Sequence, residues 1–169
     1  MSVDEAVEQL LAKEAIREVL VNYCRAVDRI DRPLALSVFH PGAAVDFVGI
    51  FEGTAEEWVT TVLEAHLGYS AHSHQITNVT VAVEGDTAAS ETYVTAKVRS
   101  YPDETGRRVD LAVAGRYLDR WSKRDDVWGI DHRLYVNDVH SEYEVVGGMD
   151  ETAARRDSGD PSYALLAAQ

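Results

Sequence analysis

The stretch HSHQITNVTVAVEGDTAASETYVTAKVRSY, residues 72–101, decides the fold. Its first half is rich in β-branched residues and its apolar positions recur at every second residue, the period of a strand with two different faces. Gly85-Asp86 supplies the tight reversal of a hairpin, and the second half returns as another strand. Upstream the period is different. Over residues 4–29, Ile16, Leu20, Tyr23 and Val27 recur at spacings of four, three and four, the apolar stripe of one long helix. Lys13, Glu14, Arg17 and Glu18 fall outside that stripe. Downstream, residues 108–121 and 127–140 read as two further long strands, set apart by polar turns at 102–107 and 122–126.

The segments in between complete the order. Asp31 caps a second, shorter helix with Pro33 in its first turn and Leu34, Leu36 and Phe39 facing inward. His40-Pro41-Gly42 is expected to end it. Residues 43–49 form a short strand, and Phe51-Glu52-Gly53 a turn. Thr54 with Glu57 is a capping box that opens a helix running to Gly68. Helices grouped first and long antiparallel strands afterwards mean an α+β fold. A meander of long twisted strands curls, so the expected architecture is a cone-shaped curved antiparallel sheet, an α+β barrel, covered by N-terminal helices and enclosing a pocket. His72, His74, Ile76 and Asn78 share one face of the first long strand while Val79, Val81 and Val83 have the opposite parity. Either both faces are covered, or a bulge near Asn78 switches them.

At 169 residues the chain has the length of one domain, placed at 1–145, with 146–169 as a C-terminal tail. Residues 147–161 read as loop or disorder, and 163–168 as one helical turn that docks on its own or a neighbouring subunit. The 46% hydrophobic content suffices for a core without metal or disulfide staples, and the single Cys24 permits no intrachain disulfide. A formal net charge of −13 repels phosphate backbones and anionic lipid, so neither nucleic acid nor a membrane surface is an expected partner. The charged N-terminal helix lacks the apolar core of a signal peptide, and no stretch reaches the roughly 18 apolar residues of a membrane span. A cytoplasmic location is the expectation.

Several side chains are candidates for chemistry. His74 lies near the start of the first long strand; taken alone it reads as a surface or satisfied structural histidine before it reads as a catalytic one. Asp28 ends the long helix, where it reads first as a residue of helix-end hydrogen bonding or solvation; the helix dipole disfavours a carboxylate there, which hints at another reason for it. Tyr23 flanks the same stripe, and Arg133 lies on the last strand on one face with Asp131, Tyr135 and Asn137. Arg116 and Asp119 read as surface charges. His72-x-His74 could contribute to a metal site with Asp28, His132 or His140 as a third ligand, but no spacing forces one. No Gly-rich phosphate loop, serine elbow or CxxC is present.

The segments from LLAKEAIREVLVNYCRAVDRIDRPLALSVFHPGAAVDFVG through FEG and SHQITNVTVAVEGDTAASETYV to GRYLDRWSKRDDVWGIDHR together resemble the SnoaL-like branch of the nuclear-transport-factor-like superfamily, over about residues 8–137. Within that branch the chain resembles scytalone dehydratase, bile acid 7α-dehydratase and hexachlorocyclohexane dehydrochlorinase. The resemblance implies a histidine and an aspartate acting together, at His74 and Asp28, with Tyr23 and Arg133 at positions that stabilise charge. It implies a cofactor-independent lyase, a dehydratase-type elimination on a small apolar or polycyclic substrate, with His74 as general base oriented by Asp28. Isomerisation or cyclisation with the same base, or small-molecule binding without turnover, are the alternatives. No cofactor and no metal are expected. Arg108 and Asp110 also resemble the arginine–aspartate pairs of small epoxide hydrolases of this kind of fold, a third reading that needs a second acid beside them. The resemblance further implies a homo-oligomer, a trimer or else a dimer, and the outer face of the sheet is expected to expose tyrosines and tryptophans to it.

Overall fold

The structure is a computed structural model that describes residues 2–147 and 154–167. Helix α1, Val3–Arg29, starts at a capping box in which Ser2 and Glu5 satisfy each other's backbone amides. It ends where Ile30 turns left-handed, at φ 54°. Asp31 caps the short α2, Arg32–Ser37, by accepting from the Leu34 amide at 3.0 Å. Strands β1 (Phe39–Phe47) and β2 (Phe51–Thr54) follow, then α3 (Ala55–Leu67) behind the Thr54–Glu57 capping box. The long strands are β3 (Tyr69–Glu84), β4 (Thr87–Ser100), β5 (Val109–Arg124) and β6 (Val127–Glu144), and α4, Pro161–Leu166, closes the described chain.

The six strands form one curved, unclosed sheet in the order β2-β1-β6-β5-β4-β3. All neighbours are antiparallel except β1 and β6. The helices cover the concave face, and the core lies between, with Ile16, Leu20 and Val27 of α1, Val59 of α3, and Val45, Trp121 and Ile130 of the sheet all nearly or fully buried. This α+β cone is the architecture expected of the sequence. Among the described residues no helix is long and apolar enough to cross a membrane.

Local expectations differ at a few places, each with a backbone reason. Phe51-Glu52-Gly53 is not a turn but an edge strand paired with β1. The reversal sits one step earlier, at Gly49, whose φ of 77° only glycine adopts without strain. His40-Pro41-Gly42 is not the stop of α2, which already ends at Ser37, but lies inside β1, where Gly42 at φ 81° accommodates the shift of register against β6. On β3 the bulge alternative holds. Thr77 pairs with Tyr93 and Thr80 with Glu91, so Asn78 and Val79 together face Thr92, and Asn78 takes φ 48°. His74 and Ile76 before the bulge and Val79, Val81 and Val83 after it therefore share the concave face.

A second bulge corrects the last strand. Trp121 pairs with Ile130 and Arg120 with His132, leaving Asp131 as the extra residue. Asp131 is thereby turned away from Arg133 and pairs with Arg124. Asp119 is not a surface charge but is fully buried against Arg133, whereas Arg116 does lie at the surface between Glu91 and Asp138. On the outer face Tyr93 and Tyr143 are exposed, but Trp58, Trp121 and Trp128 are buried in the core, so the expectation of outward tryptophans fails. The C-terminal segment packs on its own chain: Tyr163 donates to Asp31 at 2.8 Å, Arg25 donates to Ser162, and Arg156 donates to the carbonyls of His66 and Tyr69. Residues 148–153 and 168–169, part of the expected tail, lie outside the described residues.

Candidate active site

The last turn of α1 and the first half of β3 meet through two successive inward residues of the strand. His72 Nε2 lies 3.1 Å from the Val27 carbonyl, and the His74 Nδ1 lies 2.8 Å from Asp28 Oδ1. The His74 backbone amide also donates to both Asp28 oxygens, at 3.1 and 3.0 Å. The carboxylate that the helix dipole disfavours is thus held by donors from the sheet. Both side chains are largely buried, at 8% and 14% exposure, so solvent screens their contact little.

A carboxylate on Nδ1 places the ring proton there and leaves the lone pair on Nε2. Among the described residues no protein group bonds that nitrogen. His74 borders a cavity of about 490 Å³ inside the cone, a size typical of small-molecule sites. Its wall is mostly apolar, with Phe47, Trp58, Val94, Leu111 and Val113 prominent, and its polar groups include Tyr23, His66, Asn137 and His140.

Tyr23 reaches the cavity from α1. Its oxygen accepts from Trp58 Nε1 at 2.9 Å, which leaves the phenolic O–H to donate elsewhere. Burial pushes the phenol above its ordinary value, and the nearby Arg133 charge and the Trp58 hydrogen bond offset only part of that. Arg133 does not reach the wall. It lies behind it, fully buried, stacked 4.3 Å from the Tyr23 ring centre and 4.0 Å from that of Tyr117, and bidentate to Asp119 at 2.8 Å on both arms. Burial alone would lower the guanidinium's pKa, but the Asp119 carboxylate outweighs it and the charge is retained. Any effect of Arg133 on the cavity passes through the tyrosine rings.

The remaining alternatives separate in space. Asp110 points to the outer face, where Arg99 holds it at 2.6 and 2.9 Å and Lys97 at 2.8 Å; mainly the Arg99 hydrogen bonds bring its carboxyl down to about 2. Its neighbour Leu111 is the one that lines the cavity, and Arg108 precedes the strand, so the arginine–aspartate pair does not converge on the interior. Among the described residues no three histidine, cysteine, aspartate or glutamate side chains are grouped to hold a metal ion. His132 borders an outer groove with Arg120 and Asp131, and His140 borders the cavity.

Of the polar residues that border the cavity, Thr61, His66 and Tyr69 are among those absent from the sequence candidates, and His66 lies against the two histidines of β3. His66, in the last turn of α3, lies with its ring centre 5.3 Å from that of His74 and 4.7 Å from that of His72. Its Nδ1 is 2.7 Å from the Val62 carbonyl. Burial, reinforced by the neighbouring imidazoles, pushes it down to about 4. The helical spacing Val59, Val62, His66 places it on the buried stripe of α3, and that periodicity could have found it.

Comparison with known proteins bears on the family and the fold. The family model of the SnoaL-like domain matches residues 8–134. The fold is similar to hexachlorocyclohexane dehydrochlorinase LinA type 2, with a TM-score of 0.74 and 17% identity over 87% of this chain and 99% of that one. It is similar to a scytalone dehydratase-like protein of Novosphingobium aromaticivorans, with a TM-score of 0.70 and 19% identity over 87% and 97% of the two chains. An aromatic ring hydroxylase-like protein of the same species is 27% identical with a TM-score of 0.64, over 78% and 92%. No curated protein sequence matches the chain significantly.

Proposed function

The chain belongs to the SnoaL-like domain family, and from that membership and the His74–Asp28 contact we propose that it is a cofactor-independent lyase that eliminates water from a small apolar or polycyclic substrate. The observation that carries the reading is the 2.8 Å bond from His74 Nδ1 to Asp28, with the second ring nitrogen left open at the border of an apolar cavity. His74 Nε2 takes a proton from a substrate carbon, and Asp28 stabilises the imidazolium that forms. The electron pair of the broken C–H bond becomes the new C=C bond as the C–O bond breaks. Tyr23, kept protonated by burial, donates its O–H toward the oxygen that gains negative charge, and Arg133 beneath its ring supports that donor electrostatically. The proton on Nε2 is given up to the departing hydroxide or to solvent, so the products are an alkene and water. Isomerisation or cyclisation would begin with the same proton abstraction.

The test is a screen of hydroxylated polycyclic, steroid and polyketide-like compounds, followed by mass spectrometry for loss of water. His74→Ala is expected to lower turnover by about 10²- to 10⁴-fold, the usual worth of a positioned general base. Turnover that survives this substitution unchanged removes His74 from the mechanism. The partner reading remains a second copy of this chain, in a trimer or else a dimer, through the outer face on which Tyr93, Val139 and Tyr143 are exposed.

A further inference from the structure

His66 borders the cavity, yet the proposed elimination gives it no task. A carbonyl can only accept a hydrogen bond, so the 2.7 Å contact with Val62 fixes the His66 proton on Nδ1. Nε2 then carries a lone pair, and no group among the described residues donates to it. The ring is neutral at ordinary pH, because burial and the adjoining imidazoles disfavour its charged form. Among the described residues no aspartate or glutamate lines the cavity, and the Asp28 carboxylate behind His74 is already engaged by that ring and its amide, so a cationic donor would enter without a free counter-charge.

We propose that His66 Nε2 is the acceptor of a hydroxyl-binding subsite beside His74, so that the cavity selects an apolar compound bearing a hydroxyl group over its hydrocarbon or halogenated counterpart. The proposal deepens the reading above and rests on it in one respect, that this cavity is the substrate site. A hydrocarbon that fills the cavity displaces water from this acceptor and leaves it unpaired, and a halogen or ketone sets one lone pair against another, whereas a hydroxyl satisfies the nitrogen. His66 is in this sense a substrate-positioning residue that neither gives nor takes a proton. The subsite also separates two chemistries of similar geometry, favouring substrates of dehydration over those of dehydrohalogenation.

The experiment uses the full chain and three probes of one shape, α-naphthol, naphthalene and α-chloronaphthalene, with affinities read by NMR titration. The wild-type protein is expected to bind α-naphthol about 3- to 10-fold tighter than the other two, the worth of one neutral hydrogen bond. His66→Phe should cut that preference by about half or more, what remains being owed to the other open acceptor, His74 Nε2, while holding the naphthalene affinity, and His66→Gln, whose carbonyl still accepts, should keep part of the lost share. Independently, the ¹⁵N resonance of His66 Nε2 should lie in the unprotonated range and shift with α-naphthol but not with naphthalene. This measurement needs no substitution and decides the matter if His66→Phe does not fold. A preference unchanged in His66→Phe, or a proton on Nε2, overturns the proposal. None of these readings involves turnover, so the subsite can fail while His74 remains the base, and the base can fail in His74→Ala while the subsite stands.

Discussion

Replacing Asp28 by asparagine tests the centre of the reading, because the change keeps shape and removes charge. Asp28 accepts at 2.8 Å from His74 Nδ1 and at 3.0 and 3.1 Å from the His74 amide. Asparagine offers one oxygen and one NH₂ to this set of donors. If its oxygen stays on the ring, its NH₂ faces the backbone N–H; if it flips, the NH₂ donates to Nδ1 and drives the ring proton to Nε2. The first arrangement sets donor against donor, and the second removes the lone pair from the cavity. With charge-assisted bonds at about 1.5–3 kcal/mol each and the bifurcated amide partly retained, a loss of about 2 kcal/mol follows. For a chain of this length that is roughly 4–8 °C in melting temperature. Turnover should fall by about 10²- to 10⁴-fold, as expected when a base is held in the wrong tautomer. Thermal melts, substrate turnover and the ¹⁵N shifts of the His74 ring read the three effects separately. An Asp28→Asn protein that melts with the wild type and keeps its His74 proton on Nδ1 would refute the argument, since the carboxylate would then fix neither the strand nor the tautomer.

Three further outcomes follow from the same geometry. His66 is near 4 when folded and near 6.5 when unfolded, so the unfolded chain binds more protons between these values, and stability that is full above pH 6.5 falls by up to roughly 3 kcal/mol as the pH drops toward 4. Urea melts across that window should show the slope, and His66→Phe should flatten it; His72, also lowered by burial, adds in the same direction. Arg133→Met alone strands the Asp119 carboxylate in the core and should cost about 3–5 kcal/mol, while the double change Arg133→Met with Asp119→Leu should recover most of it in the same melts. Light scattering on the purified chain should give three chain masses, or else two, and Tyr93→Glu with Val139→Glu should reduce this to one; a wild-type monomer at micromolar concentration contradicts the expectation.

The long strands were legible because their period changes from helical to two-residue at His72 and stays so, and because Gly85-Asp86 leaves a hairpin few alternatives. The first helix was legible from its stripe, and α3 from Thr54 and Glu57. What failed were single residues whose effect is on register. Gly42 and Gly49 both carry positive φ, but the sequence reads as a helix stop at the one and as a strand end at the other, so the reversal falls two residues late and the edge strand β2 is taken for a turn. Two-residue alternation puts Asp131 on the face of Arg133, and alternation fails wherever a bulge adds a residue. The bulge at Asn78 could be anticipated because polar and apolar parities conflicted there; at Asp131 the flanking residues were mixed and no conflict signalled it.

The same contrast governs the site. Asp28 stood out because a carboxylate at a helix C-terminus needs donors from elsewhere, and those donors come from His74. Misfit with local electrostatics was therefore informative. Arg133 and Asp119 gave no such signal, because each is an ordinary charge on an ordinary strand until the fold buries both, and the pairing across β5 and β6 that does so is a property of the sheet. His66 lay between these cases. Its place on the buried stripe of α3 was readable, but its neutrality and its free nitrogen depend on the Val62 carbonyl one turn back and on two imidazoles from a different element. A histidine on an apolar stripe thus becomes informative about binding only when the bond of one ring nitrogen is known, since that bond decides whether the other is offered to a ligand as an acceptor or as a donor.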